Sequence, residues 1–174
     1  MDRVLIAGIS GAGKTTLACA LSRRFGFPHH EVDALHHGPG WAKRPTFEAD
    51  VRTFSSGRRW VTEDAYHAAL GDLLWTRADT LVWLDLPRHT VMWRVIRRSA
   101  RRAARKEELW NGNKETWSDW VRPDHPIRWA WSQFECRRQV VGERIGHHPH
   151  LRVIHLHTRR QVHHWLATID GTLA

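Results

Sequence analysis

The sequence predicts an α/β domain built on a five-stranded parallel sheet, and three observations carry that prediction. Short apolar runs, at residues 4–7 and 80–84 above all, are almost free of polar residues, as strands covered on both faces of a sheet must be. Segments with apolar residues at three- and four-residue steps separate these runs, so strand and helix alternate along the chain. A glycine-rich turn lies where the first strand passes into the first helix.

That turn reads Gly8-Ile9-Ser10-Gly11-Ala12-Gly13-Lys14-Thr15 and fits G-x-x-x-x-G-K-[ST] at every required position. Glycine lets the backbone curl around phosphate oxygens so that successive N–H groups point inward as an anion nest. Lys14 is positioned to neutralise β- and γ-phosphates, and Thr15 to join the shell of a magnesium ion. The helix that starts here, residues 16–25 with Leu17, Ala20, Leu21 and Arg24 at helical spacing, adds a positive dipole end. Gly8, Gly11, Ala12, Gly13, Lys14, Thr15 and Thr16 form the expected nucleotide cradle. ATP and Mg2+ are the expected ligands.

The 174 residues suit one domain, 1–174. A hydrophobic content of 41% with eleven tryptophans speaks against disorder, and no long uncharged apolar run predicts a membrane span. A strand and a phosphate loop occupy the first residues, where a secretion signal would stand, and Cys19 and Cys136 have no paired spacing. Reduced thiols in a cytoplasmic protein are therefore expected. Lys and Arg exceed Asp and Glu by nine, and lysine stands only at positions 14, 43, 106 and 114. Arginine holds phosphate through a planar fork that never loses its proton, which suits phosphotransfer and nucleic-acid surfaces alike.

Residues 29–32 are expected as the second strand, delivering Asp33 to its C-terminal end, where open α/β sheets bind ligands. Asp33 is the candidate that orients an acceptor hydroxyl or takes its proton, with capping of a following helix as the alternative. The breaker-rich loop 38–45 carries Trp41, Lys43 and Arg44, and Thr46 is expected to cap a helix with Phe47, Val51 and Phe54 on one face. Residues 33–58 make a candidate acceptor-binding flap. The third strand, 60–64, ends in Glu63 and Asp64 on opposite faces, so one of them serves magnesium, and Asp64 is favoured. A helical stretch follows at 66–75. The fourth strand ends in Asp85, a rival for the metal because an apolar strand closed by Asp is the usual second motif of phosphate sites.

The next helix carries Arg88, Arg94, Arg97, Arg98, Arg101, Arg102 and Arg105; of these, Arg94, Arg98, Arg101, Arg102 and Arg105 recur at three- and four-residue steps as a stripe. A polyanion would relieve their repulsion, whether a triphosphate or a nucleic-acid backbone. Residues 99–128, rich in arginine, turn formers and tryptophan, make a candidate lid that contains Trp110-Asn111-Gly112-Asn113. A helix over 129–145 bears Arg137, Arg138 and Arg144. A fifth strand over 151–156, a Thr158 cap and a helix over 160–169 complete the chain. The fourteen histidines include four adjacent pairs but no metal-ligand spacing, and are expected at the surface or behind other groups.

The assembled pattern resembles the P-loop kinases of the adenylate kinase and shikimate kinase type, and most closely the bacterial DNA-topology modulation (FlaR-like) proteins. The likeness spans almost the whole chain. It rests on residues 8–15, Val32-Asp33, Gly38-Pro39-Gly40-Trp41, Leu84-Asp85-Leu86-Pro87-Arg88, Trp93-Arg94-Val95-Ile96-Arg97-Arg98 and Thr158-Arg159-Arg160-Gln161-Val162. The resemblance implies a three-layer P-loop NTPase fold of nucleoside-monophosphate-kinase type with an Arg-rich lid. It makes Arg94 and Arg98 the transition-state clamp and places Asp64 near magnesium. It sets Arg159 and Arg160 beside the adenine base. Ala65 replaces the glycine such kinases commonly carry after that aspartate, and the pocket for a nucleoside monophosphate has no clear counterpart, so the acceptor stays open. The activity implied is ATP-dependent phosphorylation of a small-molecule acceptor such as a nucleoside, nucleotide or hydroxyl metabolite. A nucleotide-dependent regulator that binds nucleic acid through the arginine helix is the less favoured reading, and a non-catalytic resistance protein that sequesters a small molecule is a third.

Overall fold

The computed structural model describes residues 1–105, 111 and 126–169. Five parallel strands, β1 (Arg3–Ala7), β2 (His29–His30), β3 (Trp60–Glu63), β4 (Thr80–Leu84) and β5 (Arg152–Leu156), lie in the order β2-β3-β1-β4-β5. The first strand is thus central, flanked by β3 and β4. Its side chains alternate between two cores, Val4 and Ile6 facing one and Leu5 and Ala7 the other, all fully buried. Coverage on both faces explains why the run is apolar throughout.

On the first face lie α1 (Lys14–Phe25), α6 (Arg88–Arg105) and α9 (Arg159–Thr168), whose Leu17, Leu21, Val91, Val95 and Val162 meet Val4, Ile6, Val82 and Leu84. On the second lie α2 (Val32–His36), α3 (Phe47–Ser55), α5 (Leu73–Arg77) and α8 (Phe134–His147), which contribute Val32, Phe47, Val51, Leu74, Trp75 and Val141. These layers make the three-layer α/β fold that the alternation predicts. Among the described residues no helix is long and apolar enough to cross a membrane.

Several boundaries move, each for a local reason. The edge strand β2 pairs only with β3 and stops at His30, because Val32 finds its burial on the short helix α2. Asp33 consequently stands on that helix, one residue inside its start. The stretch expected as one helix over 66–75 is two, α4 (His67–Leu70) and α5, parted by Gly71 at φ 54°, ψ −132°. Thr46 has near-helical angles, and its hydroxyl donates to Asp50 Oδ2 at 2.9 Å instead of capping α3. The helix expected over 129–145 begins earlier, as α7 (Pro126–Ser132), and resumes as α8 after Gln133. Proline suits the first helical position, where its missing N–H would have no helical partner. At Thr158 the cap is present with a reciprocal bond: Gln161 N donates to Thr158 Oγ1 at 3.1 Å, and Thr158 N to Gln161 Oε1 at 3.1 Å.

Trp60 anchors the second core. It is fully buried, its indole N–H donates to the Ser55 carbonyl at 3.2 Å, and Phe54 meets its ring edge-on. Trp60→Ala is expected to cost about 3–5 kcal/mol of unfolding free energy, read as a lower urea midpoint with an unchanged slope.

Candidate functional site

The loop between β1 and α1 curls through three left-handed glycines, Gly8 (φ 147°), Gly11 (φ 85°) and Gly13 (φ 103°). Two of these also leave no room for a side chain. A Cβ on Gly8 would lie 2.7 Å from the Leu84 carbonyl oxygen, and one on Gly11 would lie 2.3 Å from a Val95 methyl and 3.0 Å from the Val91 carbonyl. The loop therefore rests directly on α6. Ala12 is buried and donates its N–H to Ile9 O at 3.1 Å, while Thr15 and Thr16 stand exposed on the first turn of α1.

Lys14 folds back over the loop, its Nζ donating to the Gly8 carbonyl at 2.9 Å. Burial pushes its ammonium below the ordinary lysine pKa, against the attraction of Asp33, Glu63 and Asp64 and with the repulsion of Arg137. From α6, one helical turn apart, Arg94 donates to Ala12 O at 2.8 Å and Arg98 to Ser10 Oγ at 3.2 Å. Arg94 also lies close enough to Gly13 that a Cβ there would meet its Nη2 at 2.9 Å. Burial lowers its pKa, as does the neighbouring charge of Arg159 from α9. Lys14, Arg94 and Arg98 thus contact the loop, with Arg159 near Arg94; Arg159 and Arg160 on α9 are both exposed. The stripe foreseen on α6 divides: Arg94 and Arg98 turn to the loop, Arg101 and Arg105 are exposed, and Arg102 is half-buried.

Asp33 faces a polar and aromatic cluster. Its Oδ1 accepts the Tyr66 hydroxyl at 2.7 Å, and the same hydroxyl lies 2.9 Å from His37 Nε2. Tyr66 stacks on His36, centroids 3.9 Å apart, and holds a left-handed backbone (φ 54°, ψ 40°) uncommon for a residue with a side chain. Burial pushes its phenol up, and the Asp33 carboxylate adds to that, so the hydroxyl keeps its proton. The flap loop closes through a bridge between His37 and Lys43, and its cations pair internally: Lys43 with Glu48 at 2.9 Å, Arg44 with Asp50 at 3.3 Å. Trp41 meets His37 edge-on and is 40% exposed. Asn111 Nδ2 donates to the His37 carbonyl. Residues 106–110 and 112–125 of the expected lid, Trp110, Gly112 and Asn113 included, lie outside the described residues.

The carboxylates at the strand ends have different partners. Asp64 is buried; Oδ1 accepts from the Trp75 indole at 3.0 Å and Oδ2 from Arg137 Nη2, with Arg144 Nη1 3.7 Å from Oδ1. Its neighbour Glu63 accepts from His29 through Oε1 at 3.1 Å, while its buried Oε2 has no partner among the described residues. Asp85 is gripped by Arg138, Nε to Oδ1 at 2.7 Å and Nη2 to Oδ2 at 3.0 Å, with His155 and His157 on Oδ2 as well. Sequence reasoning did not assign partners to Arg137, Arg138, Arg144, Tyr66, His155 or His157. The two histidines were readable as a pair two residues apart, one on the fifth strand and one just beyond its end, and the arginines as a cluster on one helix.

A parallel sheet in the order 2-3-1-4-5, with a glycine-rich loop on its central strand, defines a P-loop kinase-like fold. Solved structures of small-molecule kinases share it along nearly their whole length. A shikimate kinase from Acinetobacter baumannii in complex with shikimate covers 100% of this chain and 96% of its own at a TM-score of 0.59 and 16% identity. A gluconokinase from Sinorhizobium meliloti 1021 covers 99% and 95% at 0.52 and 18%. A shikimate kinase from Aquifex aeolicus vf5 covers 97% and 96% at 0.52 and 19%. Neither a family model nor a curated protein sequence matches the chain.

Gly11→Ala is expected to destabilise the fold by about 1–3 kcal/mol, because the loop must leave α6. Adding Val95→Ala is expected to return part of that loss. Urea unfolding of both single variants and the double variant measures the coupling.

Proposed function

We propose that the chain is an ATP-dependent phosphotransferase acting on a small molecule with a hydroxyl or phosphate acceptor group. The observation that carries this is the convergence of Lys14, Arg94 and Arg98 on a left-handed glycine loop, with an oriented carboxylate, Asp33, facing a neighbouring cluster. A loop that only bound phosphate would need the glycines and Lys14. Arginines reaching it from a separate helix suit charge that moves during transfer. The fold shared with shikimate kinase and gluconokinase supports the same reading.

In this proposal the backbone amides of residues 8–15 and the start of α1 bind the phosphates, and Arg159 and Arg160 flank the base. The acceptor oxygen attacks the γ-phosphorus, the bond to the ADP oxygen breaks, and the acceptor proton passes to Asp33. Tyr66, donating to Oδ1, aims that carboxylate. Lys14, Arg94 and Arg98 neutralise the oxygens of the moving group. The residues present suit the magnesium that accompanies ATP in part: Thr15 offers an exposed hydroxyl and Glu63 a carboxylate oxygen without a partner among the described residues, while Asp64, engaged by Trp75 and Arg137, would have to share an oxygen with the ion or its water shell. The unpartnered Glu63 Oε2 is an acceptor that a hydrated cation would satisfy. Such an ion would supply positive charge that polarises the phosphates. Asp85 is engaged on the far side of β1. A nucleic-acid role for α6 is not proposed, since two arginines of its stripe face inward.

Incubation with labelled ATP, magnesium and pooled nucleosides, nucleotides and hydroxyl metabolites is expected to label a discrete acceptor. Lys14→Ala is expected to remove at least ~100-fold of that transfer while its circular dichroism melt stays cooperative; near-normal turnover in this variant overturns the proposal. With the acceptor identified, Asp33→Asn is expected to lower kcat by about 100- to 10,000-fold with a smaller effect on KM.

A further inference from the structure

At the outer edge of the sheet, parallel register aligns four side chains on one face. Trp83 pairs with His155 and Leu84 with Leu156, so the residues two further on, Asp85 and His157, also come together. The Asp85 N–H continues the ladder by donating to the Leu156 carbonyl at 2.9 Å. His155 lies flat on Trp83, centroids 3.8 Å apart and planes 4° from parallel, which holds its imidazole in one orientation. Its Nε2 stands 3.2 Å from Asp85 Oδ2, and His157 Nδ1 stands 3.5 Å from the same oxygen.

We infer that Asp85, His155 and His157 form a binding site for a transition-metal dication of the zinc class. One donor atom from each residue lies within 4.8 Å of the others, a spread that a single ion can draw together. Two imidazoles and one carboxylate are a donor set for zinc, cobalt or nickel, whereas magnesium takes oxygen ligands and keeps its water. This site is therefore distinct in chemistry and place from the proposed magnesium position beside Lys14.

Arg138 supports the arrangement from behind. Its Nε donates to Oδ1, the carboxylate oxygen that the histidines do not share, so Oδ2 can face an ion while Oδ1 stays fixed. Ligand carboxylates in metal sites are oriented by such outer hydrogen bonds. The second Arg138 contact, Nη2 to Oδ2, is the one that gives way on binding. Asp85 and His157 also line a cleft of about 330 Å³ with Arg88, Glu135 and Arg138, which leaves room for a water or ligand in the fourth position. His157 directly precedes the Thr158 cap, so an ion here would fasten the end of β4 to the turn that starts α9.

The test uses the full chain and zinc chloride, with cobalt as a spectroscopic stand-in. Equilibrium dialysis against limiting zinc is expected to give one bound equivalent, and cobalt is expected to give the visible absorption of a nitrogen- and oxygen-ligated site. His155→Ala and His157→Ala are each expected to weaken zinc binding by at least ~10-fold. Substituting both His163 and His164, an exposed pair on α9, with alanine is expected to change nothing. His157 is half exposed, so its variant remains folded and decides the matter even where His155→Ala does not fold. Absence of a stoichiometric equivalent in the wild type, unchanged affinity in His157→Ala, or equal loss in the control pair overturns the inference.

Discussion

The candidate site depends on a steric constraint: the glycine loop after β1 touches α6 at a point where no side chain fits. Gly11 meets a Val95 methyl and the Val91 carbonyl across a gap too small for a Cβ, and Gly8 does the same against Leu84. Because Val91 and Val95 are fully buried, α6 cannot shift along the sheet without opening the core. Arg94 and Arg98 therefore reach Ala12 and Ser10 from a fixed platform, and the energy of orienting two long side chains is met largely by packing. A mobile helix could bring the same charges near, but not hold them.

A second constraint crosses the sheet. Adjacent residues of α8, Arg137 and Arg138, turn to Asp64 and Asp85, which follow the two strands flanking β1. The helix thus ties together the carboxylates that follow β3 and β4 on either side of the central strand. Both side chains of the aspartates are nearly sealed from water, where removing one partner of an ion pair leaves a charge that neither solvent nor protein compensates. Arg144 joins the same system from one helical side, stacking on Trp75 at 4.5 Å and pairing with Asp72.

Elements whose pattern is local were legible in the sequence. The buried strands read directly, as did the order of strand, loop and helix around residues 8–15 and the Thr158-x-x-Gln161 capping box. The four-residue step from Arg94 to Arg98 also placed both on one face of a helix. What escaped were the partners: nothing in the spacing of Arg137 or Arg138 names Asp64 or Asp85, more than 50 residues away. Asp33 was expected at the end of a strand and stands on a helix instead, because β2 is an edge strand with one neighbour, and burial of Val32 decides where it stops. Tyr66 in a left-handed conformation has no sequence signature, since that backbone is held by His36 and Asp33.

The charges around the loop make a final argument about its occupant. Lys14, Arg94, Arg98 and Arg159 gather within one small region, and burial already disfavours the charged forms of Lys14 and Arg94. Asp33, Glu63 and Asp64 oppose that penalty at Lys14, but Asp64 is itself committed to Arg137 and Glu63 to His29. Arg94 is further strained by its neighbour Arg159. A cluster of this sign is costly alone, and an anion entering it would meet two donors, Lys14 and Arg94, that are already partly desolvated. The cost of assembling the cations is thus set against the binding of an anionic partner.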